Sequence, residues 1–175
     1  GVPGLCCHVY GRKYEGWGKS IEAMRQIQDA RDRGVDVVAD VLRGRGLTNV
    51  FVEVGGETSA FGHNPRGRKW RIGIESPARE APPGMFLLGT VCLSGLALAT
   101  SGDYRNYYRD EGGVYYSHIL DPRTGRPARH ELASVSVVAD RCLVADGVAT
   151  VLYVLGPGEG LAWIDDYEGA EALFL

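Results

Sequence analysis

The sequence predicts an α+β domain in which a mixed, largely antiparallel sheet packs with helices. Segments typical of strands and helices follow one another without the regular strand–helix–strand alternation of parallel sheets. Turn sequences such as HNPRG and DPRTGRP separate neighbouring strand segments. The length of 175 residues is sufficient for one domain with a substantial core.

Composition and charge exclude several classes of protein. The 45% hydrophobic and 23% charged residues are typical of soluble globular domains, and the net charge of -3 disfavours nucleic-acid binding. Glycines and polar residues interrupt the longest apolar region, residues 85–99, so we expect no membrane-spanning stretch. Because the four cysteines form no CxxC pair, we expect neither a disulfide framework nor a zinc site. We interpret Cys92 and Cys142 as buried small hydrophobic residues.

The N-terminal half is expected to contain two helices followed by strands. Residues 1–18 lack periodicity and are interpreted as a loop, and residues 20–34 are typical of a polar helix. The segment VDVVADVLRGRG predicts a short amphipathic helix. Its predicted apolar face consists of Val35, Val38, Val41 and Leu42. Strands are then predicted for TNVFVEV, TSAFG and KWRIGIE, with one or two more within residues 85–102 and a loop at Ser101-Gly102.

The C-terminal half is expected to alternate strands with two helices. VYYSHIL predicts a strand, DPRTGRP its turn and ASVSVVAD another strand, and the tyrosines before them suit a surface hairpin. CLVADGVATVLYVLG predicts an apolar helix that ends at Gly156-Pro157, and GEGLAWIDD predicts a second helix. The final EALFL is typical of a strand.

A candidate metal site lies on the predicted apolar helix. Asp146 and Thr150 are four residues apart and therefore share one helix face. A carboxylate and a hydroxyl are hard oxygen donors of the kind that Mg²⁺ prefers. The alternative is that both side chains only make local hydrogen bonds within the helix. Taken alone, the residue pair fits local hydrogen bonding better than a metal site. A carboxylate within a buried helix reduces that difference, since buried charges are usually paired or bound to a cation.

Two glycine-containing segments are candidates for ligand binding. Gly55-Gly56-Glu57 follows a predicted buried strand, and paired glycines let a ligand approach the backbone closely. Ser101-Gly102 follows another apolar run. The alternatives are a tight turn at the first segment and a simple strand end at the second.

His118 is a candidate general base within the segment SHILDPRTGRPA. An imidazole accepts or donates a proton near neutral pH. The following residues Asp121-Pro122-Arg123-Thr124-Gly125 obey the rules for a tight turn. The alternative is a half-buried strand histidine that is satisfied by a carbonyl group.

Four ordered blocks of this sequence resemble the ApbE family of Mg²⁺-dependent FAD:protein FMN transferases. They are NVFVEVGGE, LATSGDYRNYY, SHILDPRTGRPA and ADGVATVLYVLGPGEGLAWI. The resemblance covers roughly residues 35–173. Its most specific parts are the His-x-x-Asp-Pro-x-Thr-Gly run and the Asp-x-x-Ala-Thr helix. It implies an ApbE-like, T-fold-like architecture.

The resemblance implies a reaction and a role for each candidate residue. Family members cleave FAD, release AMP and transfer FMN to a threonine hydroxyl of a target flavoprotein subunit, and some hydrolyse FAD instead. By this resemblance Asp146 and Thr150 would hold Mg²⁺, and His118 would activate the acceptor hydroxyl. The FAD site would be lined by Gly55, Gly56, Glu57, Ser101, Gly102, His118 and Asp121.

The N-terminal segment departs from the family pattern. The Ala-Lys-Gly-Tyr-like motif, whose alanine carbonyl is a metal ligand in the family, is not matched before Val35. We therefore expect a poorly matched segment at residues 1–34, an ApbE-like flavin transferase domain at residues 35–175, and an architecture truncated at the N-terminus. An FAD pyrophosphatase and a non-catalytic flavin-binding module are the alternative functions. Resemblance to bacterial members suggests the cell envelope or periplasm.

Overall fold

The structure, a computed structural model, describes residues 34–78, 81–82 and 84–175. The helix predicted for residues 20–34, and Cys6 and Cys7, lie outside the described residues apart from the last position of that helix. The described chain is α+β, as predicted. Every strand pairing within it is antiparallel.

A five-stranded sheet in the order β1-β2-β5-β10-β11 forms the centre of the domain, and three two-stranded ribbons accompany it. Helix α1 is described over residues 34–44 and precedes the first strand. The remaining elements are β1 (Val50–Val54), β2 (Glu57–Phe61), β3 (Trp70–Glu75), β4 (Leu87–Leu93), β5 (Leu96–Gly102), β6 (Tyr107–Arg109), β7 (Tyr115–Ser117), β8 (Leu120–Asp121), β9 (Arg126–Pro127), β10 (Ser134–Ala139), α2 (Cys142–Asp165) and β11 (Ala170–Phe174).

The two faces of the sheet are covered by different elements. Alternate residues of β10, Val135 and Val137, join the core formed with α2, whereas Val138 packs towards the other face. This alternation follows from the period of two along a strand. On the other face the ribbon β3–β4 contributes Ile74 and Leu93 to a second cluster. Residues from β5 therefore lie between a helical layer and a β-ribbon.

Helix α1 buries a narrower face than the sequence predicted. Val35 and Ala39 are buried, but Val38 and Val41 are 42% and 50% exposed. Leu42 packs at the margin of the cluster that Val35 forms with β1 and β2. The predicted face of Val35, Val38, Val41 and Leu42 was therefore wrong for its two middle valines. The apolar contacts of α1 with this cluster are made by Val35, Ala39 and Leu42.

Helix α2 contains the two helical segments that were predicted, divided at Gly156 and Pro157. It extends from Cys142 to Asp165 and is kinked at Gly156, whose φ is 76°. The predicted interruption at Gly156-Pro157 is confirmed, because Gly156 leaves the helical conformation and Pro157 begins the second segment, where proline is tolerated in the first turn. The expectation that no stretch could span a membrane rested on the interrupted apolar region at residues 85–99, which lies largely within β4 and β5. The length and hydropathy of α2 would suffice to cross a membrane, and in this structure α2 packs against β5, β10 and β11.

Three local expectations were also corrected. The predicted strand VYYSHIL is two short strands, β7 and β8, and His118 lies in the break between them. Ser101 and Gly102 belong to the end of β5 and do not form a loop. Cys142 is buried as expected, but Cys92 is exposed because it lies on the outer side of the ribbon β3–β4.

Candidate active site

Strand register gathers the predicted ligand-binding segments at one end of the central sheet. Thr58 of β2 pairs with Leu98 of β5, so the turn before Thr58 lies beside the last residues of β5. Ser134 at the start of β10 pairs with Gly102 at the end of β5. The Gly55-Gly56 turn and the Ser101-Gly102 segment therefore occupy the same sheet end, although 46 residues of sequence separate their first residues.

Gly55 and Gly56 form the two-residue turn of the β1–β2 hairpin. Their φ values are 69° and 108°, a left-handed conformation at two consecutive residues that glycine adopts without strain. Val54 and Glu57 are the pair that closes the turn. The tight-turn alternative is therefore confirmed as a description of the backbone. A role of this turn, and of Glu57 at its end, in FAD binding stays a prediction.

The predicted metal ligands lie on the first half of α2, next to β5. Asp146 is 8% exposed, and Thr150 is exposed one turn later. The Thr150 hydroxyl is 3.0 Å from the Ser101 hydroxyl, a hydrogen bond that connects α2 to β5. The three side chains offer one carboxylate and two hydroxyl oxygens, which suits a hard cation such as Mg²⁺ that retains water and phosphate oxygens as further ligands. No group of three or more histidine, cysteine or acidic residues with metal-binding geometry occurs among the described residues.

Asp36 of α1, which no sequence pattern indicated, holds the start of the helix that carries Asp146 and Thr150. Its carboxylate accepts hydrogen bonds from the amides of Cys142 and Leu143, at 2.9 and 3.1 Å. These amides belong to the first turn of α2, where Arg141 occupies the N-cap position without a side-chain capping bond. Asp36 thus caps α2 from another helix and compensates its dipole. Since capping residues normally directly precede a helix, no local pattern around VDVVAD indicated this role.

His118 is oriented by a hydrogen bond to the backbone. Its Nδ1 lies 2.7 Å from the carbonyl oxygen of Asn106. A carbonyl can only accept, so Nδ1 carries the proton and Nε2 presents its lone pair. Part of the His118 side chain is accessible to solvent. The protein around the rest of the ring desolvates the imidazole, and this lowers its pKa below 6.5. The Asn106 carbonyl and the charge of Asp103 oppose this shift. A neutral imidazole with a free Nε2 is suited to accept a proton at neutral pH.

Asp121 organises the turn that follows His118. Its carboxylate accepts hydrogen bonds from the backbone amide of Arg123, at 2.8 Å, and from the Arg123 guanidinium. Its carbonyl accepts the Gly125 amide at 2.8 Å. The side-chain hydrogen bonds from Arg123 hold the pKa of Asp121 below its usual value. These contacts explain the aspartate as a turn former, and its predicted contact with FAD stays a prediction.

A cavity of about 560 Å³ opens between this turn and the kink of α2. Arg126, Arg129 and Asp121 contribute to its wall on one side, and residues 154–157 on the other. Its lining includes neither His118 nor the predicted metal ligands. The cavity therefore adjoins the turn after His118 but does not coincide with the group of candidate catalytic residues.

Comparison with known proteins relates this arrangement to one family. The sequence model described as the ApbE family matches residues 30–174, which is most of the chain. The chain belongs to the ApbE family. Among curated relatives of this ApbE chain, the FAD:protein FMN transferase of Vibrio cholerae is 46% identical over 133 residues. The protein of the same name from Haemophilus influenzae is 40% identical over 132 residues.

Solved structures agree with the fold of this ApbE chain. The flavin transferase ApbE from Vibrio cholerae has a TM-score of 0.69 at 42% identity, and matches 83% of this chain and 44% of the solved one. The apo form of the Pseudomonas stutzeri flavinyl transferase ApbE has a TM-score of 0.67 at 43% identity, with 83% and 43% covered. The two curated relatives are matched over 76% and 75% of this chain, but over only 39% and 37% of their own length. The chain thus spans about two fifths of those relatives.

Proposed function

We propose that this ApbE chain belongs to an enzyme that transfers FMN from FAD to a threonine hydroxyl of a target flavoprotein and releases AMP in a Mg²⁺-dependent reaction. The observation that carries the proposal is the oriented imidazole of His118. Its proton is held on Nδ1 by the Asn106 carbonyl, so that Nε2 is available as a base. The relatives from Vibrio cholerae and Haemophilus influenzae, both named FAD:protein FMN transferase, support the same reaction.

The chemistry divides between two groups of residues. His118 accepts the proton of the acceptor hydroxyl through Nε2 as the oxygen attacks the phosphorus of the FMN half of FAD. The new bond joins that phosphorus to the threonine oxygen, and the bond to the bridging oxygen breaks, so that AMP leaves with the electron pair. His118 can then return the proton to solvent or to the leaving phosphate.

Asp146 and Thr150 are the residues that would hold Mg²⁺. When bound, the cation would neutralise charge on the pyrophosphate. The Ser101 hydroxyl restrains Thr150 by their mutual hydrogen bond, so the orientation of the Thr150 oxygen is set before any cation arrives. The glycine turn at residues 55–56 leaves space for a ligand to approach the backbone, because no side chain extends from it.

The test is an assay of a polypeptide that contains this chain, with FAD, Mg²⁺ and a candidate acceptor flavoprotein. The expected result is stoichiometric AMP release together with covalent flavin fluorescence on the acceptor in a denaturing gel. Chelation of the divalent cation should stop both. AMP release without any labelled acceptor would indicate FAD hydrolysis. Absence of AMP while FAD still binds would contradict the proposed transfer and favour a flavin-binding module.

A further inference from the structure

The carbonyl that orients His118 lies in a segment without regular secondary structure. Residues 103–106 form bends between β5 and β6. Tyr107 pairs with Ser117 as one end of the β6–β7 ladder, so Asn106 and His118 are the next residues facing each other. Within the part of the chain that the structure describes, the Asp103 amide of this bend donates to the Ala133 carbonyl at 3.2 Å, and no strand ladder includes residues 103–106. Side-chain contacts made by the bend therefore help to fix the position of the Asn106 carbonyl.

Arg105, the residue before Asn106, makes such contacts. Its Nη1 donates to the carbonyl of Ala81 at 3.0 Å, and its Nη2 forms an ion pair with the Glu75 carboxylate. The side chains of Arg105 and Glu75 are only 29% and 26% exposed. A pair at this depth is screened less than a surface pair, and its planar guanidinium holds a defined geometry.

Glu75 anchors this contact to a rigid element. It is the last residue of β3, and its second carboxylate oxygen accepts the amide of Gly84 in the loop that leads to β4. Tyr104 also packs against Arg105. The tyrosine is 8% exposed, and the centroid of its ring lies 5.2 Å from the guanidinium carbon. Desolvation, and next the charge of Glu75, raise the pKa of Tyr104 above 10.0, so it remains a neutral surface for Arg105.

We propose that Glu75 and Arg105 are positioning residues for His118, which act through the carbonyl of Asn106. The ion pair ties the bend to the ribbon β3–β4 and places the carbonyl where it holds the proton on Nδ1. Its loss lets the bend move and allows the proton to occupy Nε2. His118 then cannot accept a proton at Nε2. This inference rests on the proposed function for its consequence in catalysis, but the orientation of the imidazole is measurable without any activity.

The primary test is nitrogen NMR of the His118 imidazole in the intact polypeptide, which distinguishes the two tautomers. The unaltered protein should show the proton on Nδ1. In Glu75→Gln, which keeps the shape of the side chain, and in Arg105→Gln, a substantial Nε2–H population should appear. Arg105→Lys should restore part of the Nδ1–H form, because the ammonium can still pair with Glu75 but cannot reproduce both contacts.

Arg43→Gln is the matched control. Arg43 is also ion-paired with a carboxylate, that of Asp40 at 3.0 Å, and also lies over an aromatic ring, that of Phe61 at 4.5 Å. It belongs to α1, away from the bend, so its loss should leave the tautomer unchanged. If His118 keeps its proton on Nδ1 in both Glu75→Gln and Arg105→Gln, or if Arg43→Gln changes the tautomer equally, the positioning role is refuted.

The kinetic consequence provides a second readout. Transfer should slow by about 10- to 100-fold in Arg105→Gln, as expected for a misplaced catalytic group, with FAD affinity unchanged. Should the unaltered protein lack transfer activity while the tautomer responds as described, the proposed function fails and the positioning role stands. Should FMN transfer proceed at the normal rate in both Glu75→Gln and Arg105→Gln, the positioning role fails and the proposed function stands.

Discussion

The two halves of the candidate site differ in what holds them. Asp146 and Thr150 lie on a long helix that packs against the sheet, so their relative position follows from one turn of α-helix. His118 lies between two strands of three and two residues, and its orientation depends on single side-chain contacts. Regular secondary structure therefore fixes the half with the candidate metal ligands, whereas a few hydrogen bonds from distant residues fix the half with His118.

The largest expected effect comes from removing the carboxylate on the rigid half. Asp146→Ala should abolish Mg²⁺-dependent FAD turnover while the fold persists, because the helix does not need this side chain to form. Thr150→Ala should weaken turnover less, since a hydroxyl contributes less than a carboxylate to holding a divalent cation. AMP release at a series of Mg²⁺ concentrations, with circular dichroism as the fold control, measures both. Normal turnover by Asp146→Ala would show that the metal assignment is wrong.

The next effect concerns the base on the other half. His118→Ala should slow FMN transfer by about 10²- to 10⁴-fold with FAD affinity retained, the usual contribution of a general base. In the unaltered protein the rate should fall as the pH decreases through the pKa of His118, below 6.5, because the protonated imidazole cannot accept a proton. Rate and affinity measured between acidic and neutral pH test this. A parallel loss of affinity and rate would indicate a structural histidine instead.

The third prediction concerns Gly102, the last residue of β5 and the neighbour of Ser101. A Cβ added at Gly102 would lie 2.5 Å from the Ala133 carbonyl and 2.8 Å from the Ser134 Cβ, both fixed by the sheet. Gly102→Ala should therefore destabilise the protein by about 1–3 kcal/mol, which lowers the melting temperature by about 2–4 °C for each kcal/mol. Gly158→Ala is the control, because nothing lies within 4 Å of its added Cβ. Equal melting temperatures for the two variants would contradict the packing argument.

The smallest expected effect concerns the cap that holds the rigid half. Asp36→Ala removes the acceptor of two amides at the start of α2 and should reduce the free energy of unfolding by about 1–2 kcal/mol. Asp36 also forms an ion pair with Arg141 at 3.4 Å. Asp40→Ala removes a half-exposed carboxylate that contacts Arg141 at 3.4 Å as well, and should change stability by less than about 1 kcal/mol. Chemical denaturation of both variants measures the difference. If the two variants lost similar free energies of unfolding, Asp36 would stabilise the protein only through its ion pair and not through the cap.

The sequence predicted most elements but not every boundary. Periodicity identified α1, the strands of the central sheet and both segments of α2, because these depend on local patterns of apolar residues. It did not predict that α1 exposes Val38 and Val41, or that VYYSHIL breaks at His118. Which valines of α1 are buried depends on the elements that pack against the helix. Where a strand ends depends on where its partner strand ends. Local sequence patterns therefore determine neither of these features.

By itself the sequence determined the helix with Asp146 and Thr150, the turn at Asp121 and the family resemblance, since each rests on residues close together in the chain. Only the tertiary structure decided which distant residues hold the site: Ser101 against Thr150 and Asp36 at the start of α2. It alone connects Glu75 with Arg105 as well. These pairs are 49, 106 and 30 residues apart. Such contacts arise from strand register and helix packing, which depend on the whole domain and not on any local pattern.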